Sequence, residues 1–445
     1  MALSNYLNRK QRIAPLVVFR ILFGLVMLFS VLRTLSLGWF YKFYISATYF
    51  FKLNGFDWLP TFNPAIIYVL ISLLILSTVG IILGAFYRIS CILFFFLFSY
   101  FELLDITHYL NHYYLICLLS FILIFLPANR KYSVDVWLNP KIEVDEVPYW
   151  TIFWIKFQIA LLYFYAGIAK LHPDWLLYAQ PLKIWLSRNS DLPIIGNFLS
   201  LQITAYLFSW FGAIYDLSIA FFLYYKRSRL IAYLAVVIFH LMTAMLFNIG
   251  VFPIVMIFFT TIFFSTLWHE KLISNFVLIF NLSKLKQETD QSHFNNRTPW
   301  LFWIFISWQL IFPLRHWLYP GNVLWTEEGF RFSWKVMVVE KTGSALFKIK
   351  EADGSKETEV DNKEYLTAKQ EVFMSYQPDL ILDFAHFLAN DYKKNKGYKE
   401  PIVTVDCFVS LNGRAARRFV KPNINLAKEP KGFRHKDWII LYNDI

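Results

Sequence analysis

Charge is scarce in this chain: only 17% of its 445 residues are Asp, Glu, Lys or Arg, where soluble globular domains carry roughly 25%. With 57% of residues hydrophobic and 20% aromatic, a soluble enzyme is excluded and a polytopic membrane protein is left. Cysteine is scarcer still. Cys91 and Cys117 lie in apolar segments and Cys407 stands alone near the C-terminus, so there is no disulfide framework. No Cys-x-x-Cys occurs, which removes zinc ribbons and thioredoxin-like centres. The net charge of +12 invites a nucleic-acid reading, but the basic residues are spread over alternate loops, and no nucleic-acid partner is expected.

What the sequence does have is a series of apolar runs. They fall at roughly 15–34, 64–87, 90–107, 112–127, 150–171, 200–225, 229–248, 251–268 and 299–319, and crossing a hydrocarbon core takes about 20 residues of helix. About nine spans are expected. The first follows Arg9, Lys10 and Arg12 but is too long for a cleaved signal peptide and reads as a retained anchor. Further basic residues lie at Arg88, at Arg130, Lys131 and Lys141, at Lys226, Arg227 and Arg229, and at Lys271, Lys284, Lys286 and Arg297. The intervening loops hold few. The positive-inside rule therefore predicts a cytoplasmic N-terminus and, with an odd number of spans, a C-terminal part on the opposite face. In a bacterium that means an inner-membrane protein with a periplasmic C-terminal domain.

After Tyr319 the chain changes character. Stretches such as "SWKVMVVEKTGSALFKIKEADG" and "PIVTVDCFVSLNG" are charged and alternate with period two, Asn412-Gly413 is turn-prone, and helix-like material lies between about 363 and 395. The expected fold is a polytopic α-helical membrane domain, residues 1–320, followed by a mixed α/β, strand-rich extramembrane domain, residues 321–445. The stretch "SKLKQETDQSHFNNRTP" lacks periodicity and reads as a flexible connector.

This topology gathers the unusual polar residues at one depth. Lys170 ends the fifth span at its outer side, His240 lies in the middle or outer half of the seventh, Asn111 and His112 open the fourth, and Arg315 and His316 end the ninth. Ionisable groups in spans are costly and usually face a bundle interior or cavity. Each also has a plainer reading. Lys170 and Arg315 can snorkel to phospholipid, and His240 can be a core histidine bonded to a neighbouring carbonyl. His108 and His112 have the i, i+4 spacing of a metal pair but no acidic companion, so no metal is expected.

The stretch "LLYFYAGIAKLHPDW" closely resembles the segment of the vitamin K-dependent gamma-glutamyl carboxylases that carries their catalytic lysine, with Lys170 on that position. "LLDITHYLNHYYL" followed by "ANRKYSVD" is similar to the family's Asn-His motif and the stretch after it. "FHLMTAMLFNIGVFP" resembles its later histidine helix, and "QLIFPLRHWLYPGNVLWTEEGFRFSWKVMV" its passage into the lumenal domain. The resemblance covers roughly residues 15 to 340, in a short bacterial-type form with the HTTM membrane domain. Ala169 stands where vertebrate members have a second lysine, and Val339 and Lys341 where a histidine and an arginine are expected.

The resemblance implies an enzyme of the carbon–carbon lyase class. It implies that oxygenation of a vitamin K hydroquinone, or a related menaquinol, to the epoxide supplies the base that removes a glutamyl γ-proton, with O2 and CO2 as co-substrates. No side chain is basic enough for that proton, but ionising a quinol hydroxyl is within reach of a lysine whose ammonium is disfavoured by burial. Lys170 is the expected base. Asn111 and His112 are expected to hydrogen-bond the quinol or its oxyanion, and His240, Tyr163 and Arg315 to line the quinol pocket. Membrane lipid, a lipid-soluble quinol and a polypeptide glutamyl substrate are the expected partners. A quinol oxygenase or epoxidase that never carboxylates, and a proton-coupled transporter, are the alternatives. The departures at Val339 and Lys341 lead us to expect weak carboxylation of short peptides and little gain from a propeptide.

Overall fold

The chain is described by a computed structural model over residues 2–279 and 297–442. Most of the expected connector, residues 283–296, lies outside the described residues.

Backbone polar groups have no water to bind in hydrocarbon, so apolar runs of this length fold as helices that satisfy themselves. Among the described residues six are long and apolar enough to cross a bilayer: α1 (Ala14–Ser36), α2 (Pro64–Leu83), α3 (Tyr87–Leu104), α5 (Trp150–Lys170), α6 (Gln202–Tyr224) and α7 (Arg229–Leu246). Between α3 and α5 lies the shorter α4 (Asn111–Phe125). A seventh candidate is a broken span, in which α8 (Phe252–Thr260) and the short turn after it meet α9 (Thr266–Ile279) at a bend of 113°. The last apolar run forms α10 (Trp300–Ile311), which tightens into a 3-10 turn over Phe312–Leu318. Local signals set the ends. Asn63 caps α2 by accepting from the Ile66 N–H, Pro64 takes the first turn, and Gly84, at φ 62°, closes it in the left-handed conformation.

Contacts distinguish the two ends of this bundle. At one end β1 (Lys10–Arg12) pairs antiparallel with β2 (Glu146–Pro148), Arg12 meets Glu270 at 3.2 Å, and the Asn8 side-chain Oδ1 accepts from the Thr298 N–H and hydroxyl. At the other end the Gln370 amide donates to Asp105 at 2.7 Å and to the Tyr49 carbonyl at 2.8 Å.

That second end carries the C-terminal unit. Its sheet is antiparallel in the order β4-β3-β5-β6: β3 (Lys341–Glu351), β4 (Glu357–Glu359), β5 (Pro401–Leu411) and β6 (Arg417–Arg418). The long pair runs in register from Lys341↔Leu411 to Glu351↔Pro401. Two helices cover it: α11 (Ala368–Met374) buries Met374, and α12 (Pro378–Asn395) buries Leu380, Ile381, Phe384 and Leu388, in one core with Phe347, Ile349, Val403 and Val405. This core continues into Phe51, Ile106, Trp175 and Leu182 of the helical part, which seats the sheet unit on the helix ends. The alternation read over "SWKVMVVE" is not a strand. Lys341 is the first residue of β3 and the first with a partner on β5, and Ser333–Glu340 runs instead as an irregular strap with Trp334 and Met337 at positive φ.

Candidate active site

Helix α5 stops at Lys170 because Pro173 cannot extend it, and the His172 ring accepts from the Asp174 N–H to start the next turn. Within α5, Gly167 sets the distance to α6. An added Cβ would meet the Leu217 backbone nitrogen at 2.8 Å, so the two helices approach closely at this level. One turn further on, Lys170 Nζ donates to Asp216 Oδ2 at 2.7 Å, to the Ala166 carbonyl at 3.3 Å and to the Val336 carbonyl at 3.4 Å. Three acceptors match the three donors of an ammonium. The lysine is only 5% exposed, and the Trp175 ring lies 5.2 Å from Nζ. The expectation of a desolvated lysine at a helix end holds for its burial, but it lacked the carboxylate. Asp216 is in the sequence for anyone to see, as a lone acid in "FGAIYDLSIAFF", although its partner is not.

Lys170 and Asp216 face a cavity of about 370 Å³. Tyr163 and His240 line it too, with the tyrosine hydroxyl 3.0 Å from His240 Nε2. Tyr163 lies seven residues before Lys170 on α5, about 10 Å deeper along the helix. Apart from Thr243 the rest of the lining is chiefly apolar, including Leu162, Phe208, Phe211 and Phe252. Two polar pairs in a largely apolar chamber suit a ligand with a ring bearing oxygens and an apolar body.

The other expected residues surround this chamber without lining it. His112 lies behind the wall: its ring centroid is 5.5 Å from that of Phe252, which is also 5.5 Å from His240, and its buried Nε2 has no partner among the described residues. Asn111 donates to the Lys335 carbonyl at 3.3 Å, and Arg315 donates to Ser333 Oγ at 3.1 Å and to the Arg331 carbonyl. Both therefore fasten the strap. His108 sits in the 3-10 turn Ile106–His108, ahead of α4, stacked 3.9 Å from Phe43 and bonded to Lys369, so it shares no helix face with His112.

The strap forms a partition. Val336 and Met337 line the cavity, while Ser333 and Lys335 line an open hollow of about 700 Å³ on the outer side, together with Ala169, His172 and His316. Burial pulls Lys335 down to about 8. Phe332, Trp334 and Met337 have φ of 62°, 55° and 53°, a conformation that costs of order 1–3 kcal/mol at each such residue. A second fastening lies nearby. Asp174 accepts from the Asn412 amide and the Arg414 guanidinium at 2.7 Å each. Burial alone would raise this carboxyl, but those two donors hold it below the ordinary aspartate value.

A helical membrane domain with a buried lysine–aspartate pair, roofed by a strand-rich unit, defines a membrane-embedded protein of the HTTM class, and residues 8–268 match the HTTM domain. Residues 295–444 match the vitamin K-dependent gamma-carboxylase lumenal domain, and the chain belongs to the vitamin K-dependent gamma-carboxylase family. No solved structure matches it.

Proposed function

We propose that this chain is a vitamin K-dependent gamma-glutamyl carboxylase that works from the cavity beneath its C-terminal unit. The observation that carries the reading is the Lys170–Asp216 pair at 2.7 Å, facing an apolar chamber that also holds Tyr163 and His240. When bound, a reduced vitamin K or related menaquinol supplies the driving chemistry, since its oxygenation by O2 to the epoxide generates the base for the glutamyl γ-proton and CO2 adds to the carbanion.

The chain's own residues move one proton. With the shared proton on Asp216, Lys170 accepts another from a quinol hydroxyl, and the pair then stands as ammonium and carboxylic acid, one positive charge beside the quinol oxyanion. The Val336 carbonyl fixes the direction of Nζ. Tyr163 and His240, deeper in the chamber, hydrogen-bond the far end of the ring. His112 sets the Phe252 wall, while Asn111 and Arg315 hold the strap that separates the reaction from the outer hollow. A strong base survives only where water is excluded.

The bias of basic residues to alternate loops supports nine crossings, a cytoplasmic N-terminus and a periplasmic C-terminal unit, with the division between residues 1–320 and 321–445. A polypeptide glutamyl substrate then arrives from the periplasmic side. Purified protein given reduced vitamin K, O2 and labelled CO2, with and without a glutamyl peptide, tests the reading: epoxide is expected, with only weak peptide-bound label alongside it. Lys170→Ala should lower quinol oxidation by about 10²–10⁴-fold, with partial rescue by a small amine. Near-normal oxidation by that variant would remove Lys170 from the chemistry.

A further inference from the structure

The most exposed side chains lining the cavity are Leu207 at 56%, Phe211 at 56% and Met242 at 37%. All three lie on the outer halves of α6 and α7, and they face the cavity and the outside of the bundle at once. The surroundings bound the gap between these helices above and below. On the inner side, a four-residue turn, Tyr225–Ser228, joins α6 to α7, and the Tyr215 and Phe239 rings stack at 4.1 Å. On the outer side, Asn189 donates to the Leu246 carbonyl at 3.1 Å and Trp185 meets Phe247 at 5.8 Å. The gap is flanked by Ile203, Ile214, Ile238, Leu241 and Met245, each more than half exposed. Only 22% of the α7 window is buried, the least of the six long helices. A band of apolar side chains this exposed belongs in hydrocarbon, so the gap faces lipid acyl chains rather than water.

We infer that the space between Leu207, Phe211 and Met242 is a lateral doorway through which an isoprenoid-tailed quinol slides in from the outer leaflet, its ring reaching Lys170 while its tail stays in the gap. This rests on the function proposed above. A chamber of about 370 Å³ takes the ring, and a tail of several isoprene units has to leave by the side that is already apolar. The doorway is also a specificity device: its width selects for the tail and leaves the ring chemistry alone.

Two measurements test it. In proteoliposomes, an isoprenoid quinone with a photoreactive group on its tail is expected to label peptides spanning 207–211 and 242–246. Labelling confined to other segments, or absent, overturns the doorway. This readout needs no turnover, so protein that labels there yet oxidises no quinol would sink the proposed function and keep the doorway. In the second, Leu207→Trp and Met242→Trp should each lower the ratio of kcat/KM for a long-tailed quinol over a tail-less one by about tenfold. Ile231→Trp, on the inner part of α7 and 72% exposed, is the control and should leave the ratio unchanged. An unchanged ratio in both doorway variants overturns the tail's place in the gap.

Discussion

Lys170 and Asp216 stand 46 residues apart in the chain and 2.7 Å apart in space. Removing one member of a buried pair strands the other charge, at a cost of about 3–5 kcal/mol. Lys170→Met and Asp216→Leu should each lower the thermal midpoint in detergent, and the double variant should be more stable than either single one. Simple addition of the two losses would show that the charges do not depend on each other. Asp216→Asn should reduce quinol oxidation by about 10²-fold or more, because Nζ loses both its anchor and its proton partner; full activity in that variant would leave Lys170 acting alone. The lysine was legible in the sequence because an ionisable group at the end of an apolar run is conspicuous. Tyr163 was legible by helical period, and His240 by its depth. Asp216 was not, since hydropathy marks the span that contains it without indicating which neighbouring helix it faces, and the close approach at Gly167 that brings α5 to α6 has no sequence signature of its own.

Two short elements tie the helical part to the sheet. The turn Leu411–Arg414, with Asn412 at φ 50° and Gly413 at φ 79°, is the hairpin turn that the Asn-Gly pair predicts, and its role is to aim Asn412 and Arg414 at Asp174. Because this carboxyl titrates below its ordinary value in the folded protein, its stabilising contribution is complete above about pH 3.9 and is lost as the pH falls through the lower, folded-state value. Asp174→Asn should therefore be less stable than the parent at neutral pH, with the gap narrowing as the pH falls below about 3.9. A gap between the two melting curves that stays constant into acid would mean that the loss is one of shape rather than charge. The other tie, the strap, was misread. Its period-two pattern is real, with Trp334 and Val338 buried, but the two serve different cores: Trp334 lies 4.8 Å from the Tyr114 ring among the helices, and Val338 joins the cluster beneath the sheet. Alternation signals one buried side, and only a partner strand makes it a strand.

At the scale of the whole molecule, hydropathy was the strongest signal, and it located the apolar runs well. It did not reveal that the run from 251 to 268 breaks at a 113° bend, because average hydropathy measures length and composition but not direction. Reporters fused after Lys10 and after Ile445 should lie on opposite faces of the membrane, the first cytoplasmic. Protection of both by the same face would remove the alternate-end arrangement and, with it, the shared depth of the polar residues. If the doorway between α6 and α7 opens into the bilayer, the enzyme samples its quinol in two dimensions. The quantity that sets its rate is then the mole fraction of quinol among the surrounding lipids, and millimolar bulk concentrations have no direct meaning for it. Adding inert phospholipid at fixed total quinol should slow turnover in proportion, while adding buffer should leave it unchanged.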